Sequence, residues 1–271
     1  MKKSRAGLLA AVIGISLVAT GCAGSPEQSD AGDAAPKVLK VAAVMSPMTD
    51  VVEAAGEAIE DGYEVELVEV GDYVTSNTIL NSGDVYANFS QHIPYMQTFN
   101  EANDGTLVGV QPVYNFVIAF YSKTLDDIAD LPDGATVAIP DDPSNTGRAL
   151  KLLAGNDIIT LDPAVDPYAS TVKDITDNPK NLEFLQVPIA SLNAAYEEAD
   201  LVFQWPSHIK ALGLTPEKDG LITELDDTFA LNLVVQQKDA DSAATAALKK
   251  AFTSDQAREV IESNGTIETA W

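Results

Sequence analysis

Residues 136–153 read TVAIPDDPSNTGRALKLL. Thr136–Ile139 is a short apolar run and predicts a strand. Pro140-Asp141-Asp142-Pro143 is turn chemistry. Ser144–Ala154 then predicts a helix that turns Leu150, Leu152 and Leu153 inward. A strand running through a Pro/Asp turn into a helix is half of a βαβ unit, so this stretch argues for an α/β fold. The free N–H groups at such a helix start favour an anion. Arg148 lies in the first turn, and beyond residue 21 the only other arginine is Arg258. A guanidinium fork suits a carboxylate, so Arg148 is either a ligand hook or half of a surface ion pair. The helix-start turn favours the hook. Arg258, among Asp255, Glu259 and Glu262, reads as surface pairing of little worth.

The same alternation continues on both sides. Val38–Val44 predicts a buried strand, and Thr49–Ile59 a helix capped by Thr49 or Asp50. Glu64–Val70 and Asp84–Phe89 predict strands, and Pro94–Glu101 a helix. Leu107–Tyr121 predicts two strands with a bend around Pro112. Leu182–Val187, Leu201–Phe203 and Ala230–Val235 predict further strands, and Asp241–Phe252 and Ser254–Ser263 the closing helices. Short strands alternating with helices imply parallel sheets covered on both faces, here in two lobes. Ligands of such sheets bind beyond the carboxyl ends of the strands.

The N-terminus sets the expected address. Lys2, Lys3 and Arg5 precede an apolar run, Ala6–Val18, too short to span a bilayer comfortably and suited to a signal peptide. It ends in Ala19-Thr20-Gly21-Cys22, which resembles a lipobox, with Ala19 in place of the usual Leu. Cys22, the only cysteine, is the expected lipidation site, so residues 1–21 read as a lipoprotein signal. Residues 22–37 read as lipidated cysteine and flexible tether, because AGSPEQSDAGDAAP is small, polar and Pro-punctuated. The expected location is the extracytoplasmic face of the cell membrane.

Composition narrows the function. A formal charge of −25 gives no basic face for nucleic acid. A single cysteine excludes intrachain disulfides and cysteine-based zinc sites. No GxSxG, P-loop, GxGxxG or HExxH motif occurs. His92 and His208 have no ligand-spaced partner, and Asp141-Asp142 reads as a solvated turn, so neither a metal nor any other cofactor is expected.

Other residues leave alternatives open. Gln91-His92 sits at a strand-to-helix junction, where a lone histidine is usually a cap. Phe116, Phe120 and Tyr121 are core or pocket wall. Trp205, after the strand LVF and before Pro206, either walls a pocket or caps a core. Asn232 interrupts the apolar strand ALNLVV, as a sheet device or a ligand hook.

From Val38 to Trp271 the chain resembles the methionine-binding lipoprotein family, NlpA-type solute-binding subunits of methionine-type ABC importers. The matching residues are Gln91-His92 with Pro94-Tyr95, and YSKTLDDIADLPDGATVAIPDDPSNTGRAL at 121–150. DNPKNL (177–182), GLTPEKDG (213–220), LNLVV (231–235) and Trp271 also match. The resemblance implies an α/β, two-lobed periplasmic-binding-protein fold of type II with the ligand in the interlobe cleft. Lobe I would be 38–117 plus 229–271, and lobe II 118–228. Arg148 would hold the ligand carboxylate, with Asn145 beside it and His92 reaching from the opposite lobe. Asn232 would bond the amino-acid head, and Phe116 would line the side-chain pocket.

Three departures bear on the ligand. Ser90 precedes Gln91 where the family has Phe, and the aromatic stands at Phe89. Trp205, with Gln204 before it, occupies the place of a head-group Asn. Phe116-Val117 replaces a Tyr-Pro pair. Trp205 offers only an N–H donor, so the carboxylate hook is kept while the head-group chemistry changes. The expected partners are a small amino acid or short peptide, an ABC permease and its ATPase, and the membrane through Cys22. The protein is expected to be a monomer and not an enzyme. Kept open are a different carboxylate ligand, an enzyme on the same fold, and a surface lipoprotein without transport role.

Overall fold

A computed structural model describes residues 35–271. The signal segment, Cys22 and most of the tether lie outside the described residues.

The chain begins with β1 (Lys37–Ala43), α1 (Met48–Ala58), β2 (Tyr63–Glu69), α2 (Tyr73–Ser82), β3 (Ala87–His92), α3 (Ile93–Asn103) and β4 (Leu107–Phe116). It continues through β5 (Ile118–Tyr121), β6 (Thr136–Pro140), α4 (Pro143–Gly155), β7 (Thr160–Leu161), β8 (Ile175–Asp177) and β9 (Glu183–Val187). There follow α5 (Leu192–Ala195), β10 (Leu201–Gln204), α6 (Pro206–Ile209), α7 (Pro216–Asp219) and β11 (Ile222–Glu224). The last elements are β12 (Leu231–Gln236), α8 (Ala243–Phe252), α9 (Asp255–Asn264) and β13 (Ile267–Thr269).

Two main sheets result. One has the order β13-β4-β12-β3-β1-β2, the other β11-β5-β10-β6-β9, and β7 and β8 form a small ribbon. Both main sheets are mixed, which corrects the expectation of parallel sheets. β1 runs parallel to β2 and β3, and β6 parallel to β9 and β10. β12 inserts antiparallel between β3 and β4, and β5 lies antiparallel to β10 and β11. In the first sheet the antiparallel strand is the late return of β12, which arrives from the second sheet and needs no right-handed helical crossover; in the second sheet it is β5, which arrives from the first. The chain passes between the sheets twice, at Val117 and over 225–230.

Local chemistry explains the elements that carry the site. α4 starts where Asp142 caps it, Oδ1 accepting the Asn145 N–H at 3.0 Å, with Pro143 in the first turn. Leu150 and Leu153 are fully buried on its inner face. α2 is capped by Asp72, which accepts the Thr75 N–H at 2.7 Å, and ends at Gly83 with φ 86°, a conformation that favours glycine. The expected cap of α1 is absent: the helix begins at Met48 after Pro47, without a side-chain cap. Pro112 does not break β4. It stands opposite Asn232, beside a register slip in the β4–β12 pairing, where a missing N–H is tolerated, and the break falls at Val117. Arg258 departs from its expected ion pairs and stacks over Trp271, 5.0 Å from the ring centre.

Candidate functional site

The carboxyl ends of β1, β3, β6 and β10 open onto one cavity of about 330 Å³. The first sheet contributes Met45, Ser46 and Pro47 after β1, Tyr73 on α2, Ser90 to His92 on β3, Tyr95 on α3, and Tyr114 and Phe116 on β4. The second contributes Asn145 on α4, Ile189, Trp205 to Ser207, and Lys210. No lining side chain is a carboxylate.

Two side-chain hydrogen bonds join the sheets across the cavity. His92 caps α3, its Nδ1 accepting the Tyr95 N–H at 3.1 Å. Nδ1 is therefore unprotonated, so Nε2 carries the hydrogen and donates to Asn145 Oδ1 at 3.0 Å. Burial, then the Arg148 charge, push the His92 pKa down to about 3, while the Asn145 bond acts the other way. Tyr73 Oη and His208 Nε2 stand 2.8 Å apart, joining α2 to α6. Burial lowers the His208 pKa to about 4.

Arg148 lies behind this wall. Its side chain is fully buried, with its guanidinium carbon 4.1 Å from the Phe229 ring centre and 5.3 Å from that of Phe116. Nε donates to Glu224 Oε1 at 3.2 Å. Nη1 and Nη2 have no hydrogen-bond partner. Burial lowers the Arg148 pKa to about 10, against the opposing pull of Glu224, so the side chain keeps its charge at neutral pH. A buried, charged group with idle donors is costly unless something else fills them.

The remaining candidates divide. His92, Asn145, Phe116 and Trp205 meet in the cavity, and Arg148 stands behind Phe116. Gln204, Asn232 and Phe89 do not line it. Gln204 is consumed locally: Nε2 donates to Asn193 Oδ1 at 2.6 Å and Oε1 accepts the Trp205 N–H at 3.1 Å. Asn232 donates to the Ala230 carbonyl at 2.9 Å, and its Oδ1 lies 3.2 Å from where a Cβ on Gly109 would stand. Phe89 packs edge-on against Tyr114 and Phe252 in the core. Residues missed from sequence are Tyr73, whose helix has a readable cap in Asp72 and stop in Gly83, and Glu224 and Phe229 around Arg148. No sequence signal marks the last two.

The profile of the NlpA lipoprotein family matches residues 39–270. The chain belongs to the NlpA lipoprotein family. It is 34% identical over 270 residues to the D-methionine-binding lipoprotein MetQ of Escherichia coli, covering 96% of each chain. It is 33% identical to the methionine-binding lipoprotein MetQ of Bacillus subtilis, covering 91% of this chain and 92% of that one. A nutrient-binding protein from Burkholderia cenocepacia, solved bound to methionine, superposes with a TM-score of 0.81. Its identity is 31%, covering 86% of this chain and all of that one. The two sheets with a cavity between them are the two-lobed type II arrangement of periplasmic substrate-binding proteins. NlpA lipoproteins are a substrate-binding rather than an enzyme family. Among the described residues, no helix of this family member is long and apolar enough to cross a membrane.

The two buried histidines give this NlpA lipoprotein a signed pH dependence. Their folded pKa values lie below the usual value near 6.5. Their contribution to stability is complete above about pH 6.5 and is lost as pH falls toward about 4 for His208 and about 3 for His92. The slope is up to about 1.4 kcal/mol per pH unit per histidine. Asp142 and Glu224, held above their usual range by burial, act in the opposite sense as pH nears the carboxylate range. Thermal melts should show Tm falling between about pH 6.5 and pH 5, and the fall should shrink in His208→Asn. A flat Tm over that window would contradict the neutral-histidine assignment.

Proposed function

We propose that the chain is the solute receptor of a methionine-type ABC importer, capturing small methionine-class acids. The observation that carries this reading is Arg148: two buried guanidinium nitrogens without partners, behind a cavity built from both sheets. A carboxylate is the ligand group that fits such a fork, with two parallel charge-assisted bonds. Asn145 and His92 would flank it. Met45, Ile189, Phe116 and Trp205 give the cavity an apolar, polarisable wall suited to a thioether chain. The E. coli relative is named for binding D-methionine and the B. subtilis relative for binding methionine.

The lobes would divide at the two crossings, 38–117 plus 229–271 and 118–228. The cross-sheet hydrogen bonds Tyr73–His208 and His92–Asn145 would hold the lobes closed and exclude water, which strengthens the Arg148 contact. Lipid on Cys22 would hold the monomer at the extracytoplasmic face, where a permease and its ATPase would receive the ligand.

Calorimetry tests the reading with L-methionine, D-methionine and glycyl-methionine, each beside a counterpart lacking the carboxylate, such as methioninol. At least one acid should bind, with its counterpart weaker on the order of 100-fold. Binding of no acid, or equal binding of acid and counterpart, would overturn it.

A further inference from the structure

Three side chains hold the Arg148 guanidinium, and all three come from the places where the chain passes between the sheets. Phe116 ends β4, just before Val117. Glu224 ends β11, just before the 225–230 crossing, and Phe229 lies within that crossing. Phe229 is itself met edge-on by His92 and Tyr168, which fixes its ring against the guanidinium. Attraction to a ring face gives the guanidinium no direction within its own plane. The directional contact is Glu224, whose Oε1 accepts from Nε at 3.2 Å. The pair is shielded, with 1% of the Arg148 side chain and 14% of the Glu224 side chain exposed. The next cation on α4, Lys151, is engaged elsewhere, its Nζ donating to Asp226 Oδ2 at 3.2 Å. Arg148 is the one side chain that Glu224 bonds among the described residues.

A guanidinium offers a carboxylate two edges: Nε with one Nη, or the two Nη nitrogens together. Glu224 takes Nε with a single oxygen and leaves Nη1 and Nη2 as a pair without partners. When a ligand acid is bound, two carboxylates therefore share one arginine. Glu224 aims the fork, while any charge it carries repels the ligand carboxylate. We propose that Glu224 is a positioning residue for acid capture: its bond to Nε sets the angle at which Arg148 presents Nη1 and Nη2 to the ligand carboxylate. This rests on the receptor reading given above. Glutamine at 224 keeps an oxygen for Nε and carries no charge. Leucine, of similar size, keeps neither the oxygen nor the charge, so the two variants differ in the bond alone.

The test is calorimetry of the full chain in detergent at neutral pH, on wild type, Glu224→Gln and Glu224→Leu. The ligands are L-methionine, D-methionine and glycyl-methionine, each beside its counterpart alcohol. The quantity read is the preference for acid over alcohol on the same protein, which a general loss of packing or of folded fraction leaves unchanged. Glu224→Gln should match or exceed the wild-type preference, and Glu224→Leu should lie below Glu224→Gln on the order of tenfold. Glu224→Asp, which withdraws the oxygen by one methylene, should also fall below Glu224→Gln and serves if the leucine variant does not melt cooperatively. Equal preferences in Glu224→Gln and the variants that remove or withdraw the oxygen would overturn the positioning role while leaving the receptor reading intact. If cooperatively melting wild-type protein binds none of the three acids, or prefers none to its alcohol, the receptor reading itself fails and this inference falls with it.

Discussion

Arg148→Met is expected to weaken ligand binding on the order of 100-fold while leaving the unliganded protein as stable as before, or more so. The two effects have one cause. In the unliganded protein the guanidinium sits fully buried with a single partner, Glu224, and two idle nitrogens. Each idle buried donor costs about 1–3 kcal/mol. Methionine keeps the stacking volume over Phe229 and Phe116 without that cost, and replacing buried ion pairs by apolar groups is often neutral or stabilising by about 1–4 kcal/mol. Glu224 loses its arginine, but burial already holds its pKa up, so it can take a proton instead. Binding, by contrast, loses both bonds of a bidentate carboxylate contact. Melting and titration of the same sample check both halves. A large fall in Tm with binding retained would mean that Arg148 is a structural ion-pair residue.

Gly147→Ala should be the most destabilising single methyl addition in the site. A Cβ at residue 147 would stand 2.3 Å from the Tyr168 carbonyl oxygen and 2.6 Å from its carbon. These are backbone atoms of the short turn Pro167–Ala169, which packs on α4 and cannot swing aside as a side-chain tip would. Overpacking against backbone costs about 3 kcal/mol or more, a Tm loss on the order of 6–12 °C for a body of this size. Gly155→Ala, at the far end of the same helix with open space around it, should be neutral or slightly stabilising. Because residue 147 lies between Asn145 and Arg148, the first variant should also weaken binding. Equal melting of both variants would show that the turn at 167–169 is free to move.

The strand, turn and helix at 136–153 were legible because each step has a local cause: an apolar run, two prolines, an aspartate cap and inward leucines. The placing of Arg148 on that helix followed from the same local chemistry, but not its turn: α4 starts at Pro143, one residue earlier than the expected start, so Arg148 stands in the second turn rather than the first. Its burial did not follow either, since Glu224 and Phe229 come from segments more than seventy residues away and only packing brings them close. Asn232 read as either a sheet device or a hook. The register slips between β12 and β4 turn its amide toward Gly109 rather than the cavity, a choice no alternation pattern expresses. Tyr73 was missed because α2, YVTSNTILNS, has a weak apolar period, although Asp72 and Gly83 bracket it. Sheet order was illegible for a similar reason. That β12 would lie between β3 and β4 depends on the chain returning from the second sheet, which is a property of the whole topology.

Native mass spectrometry of the full chain, expressed in a bacterial host and released from detergent, tests the central claim most directly. The account predicts that the wild-type protein carries a small acid, lost on gentle activation, and that Arg148→Met at the same concentration carries none. The same bound mass on both proteins would contradict the assignment of Arg148 as the residue that holds the ligand.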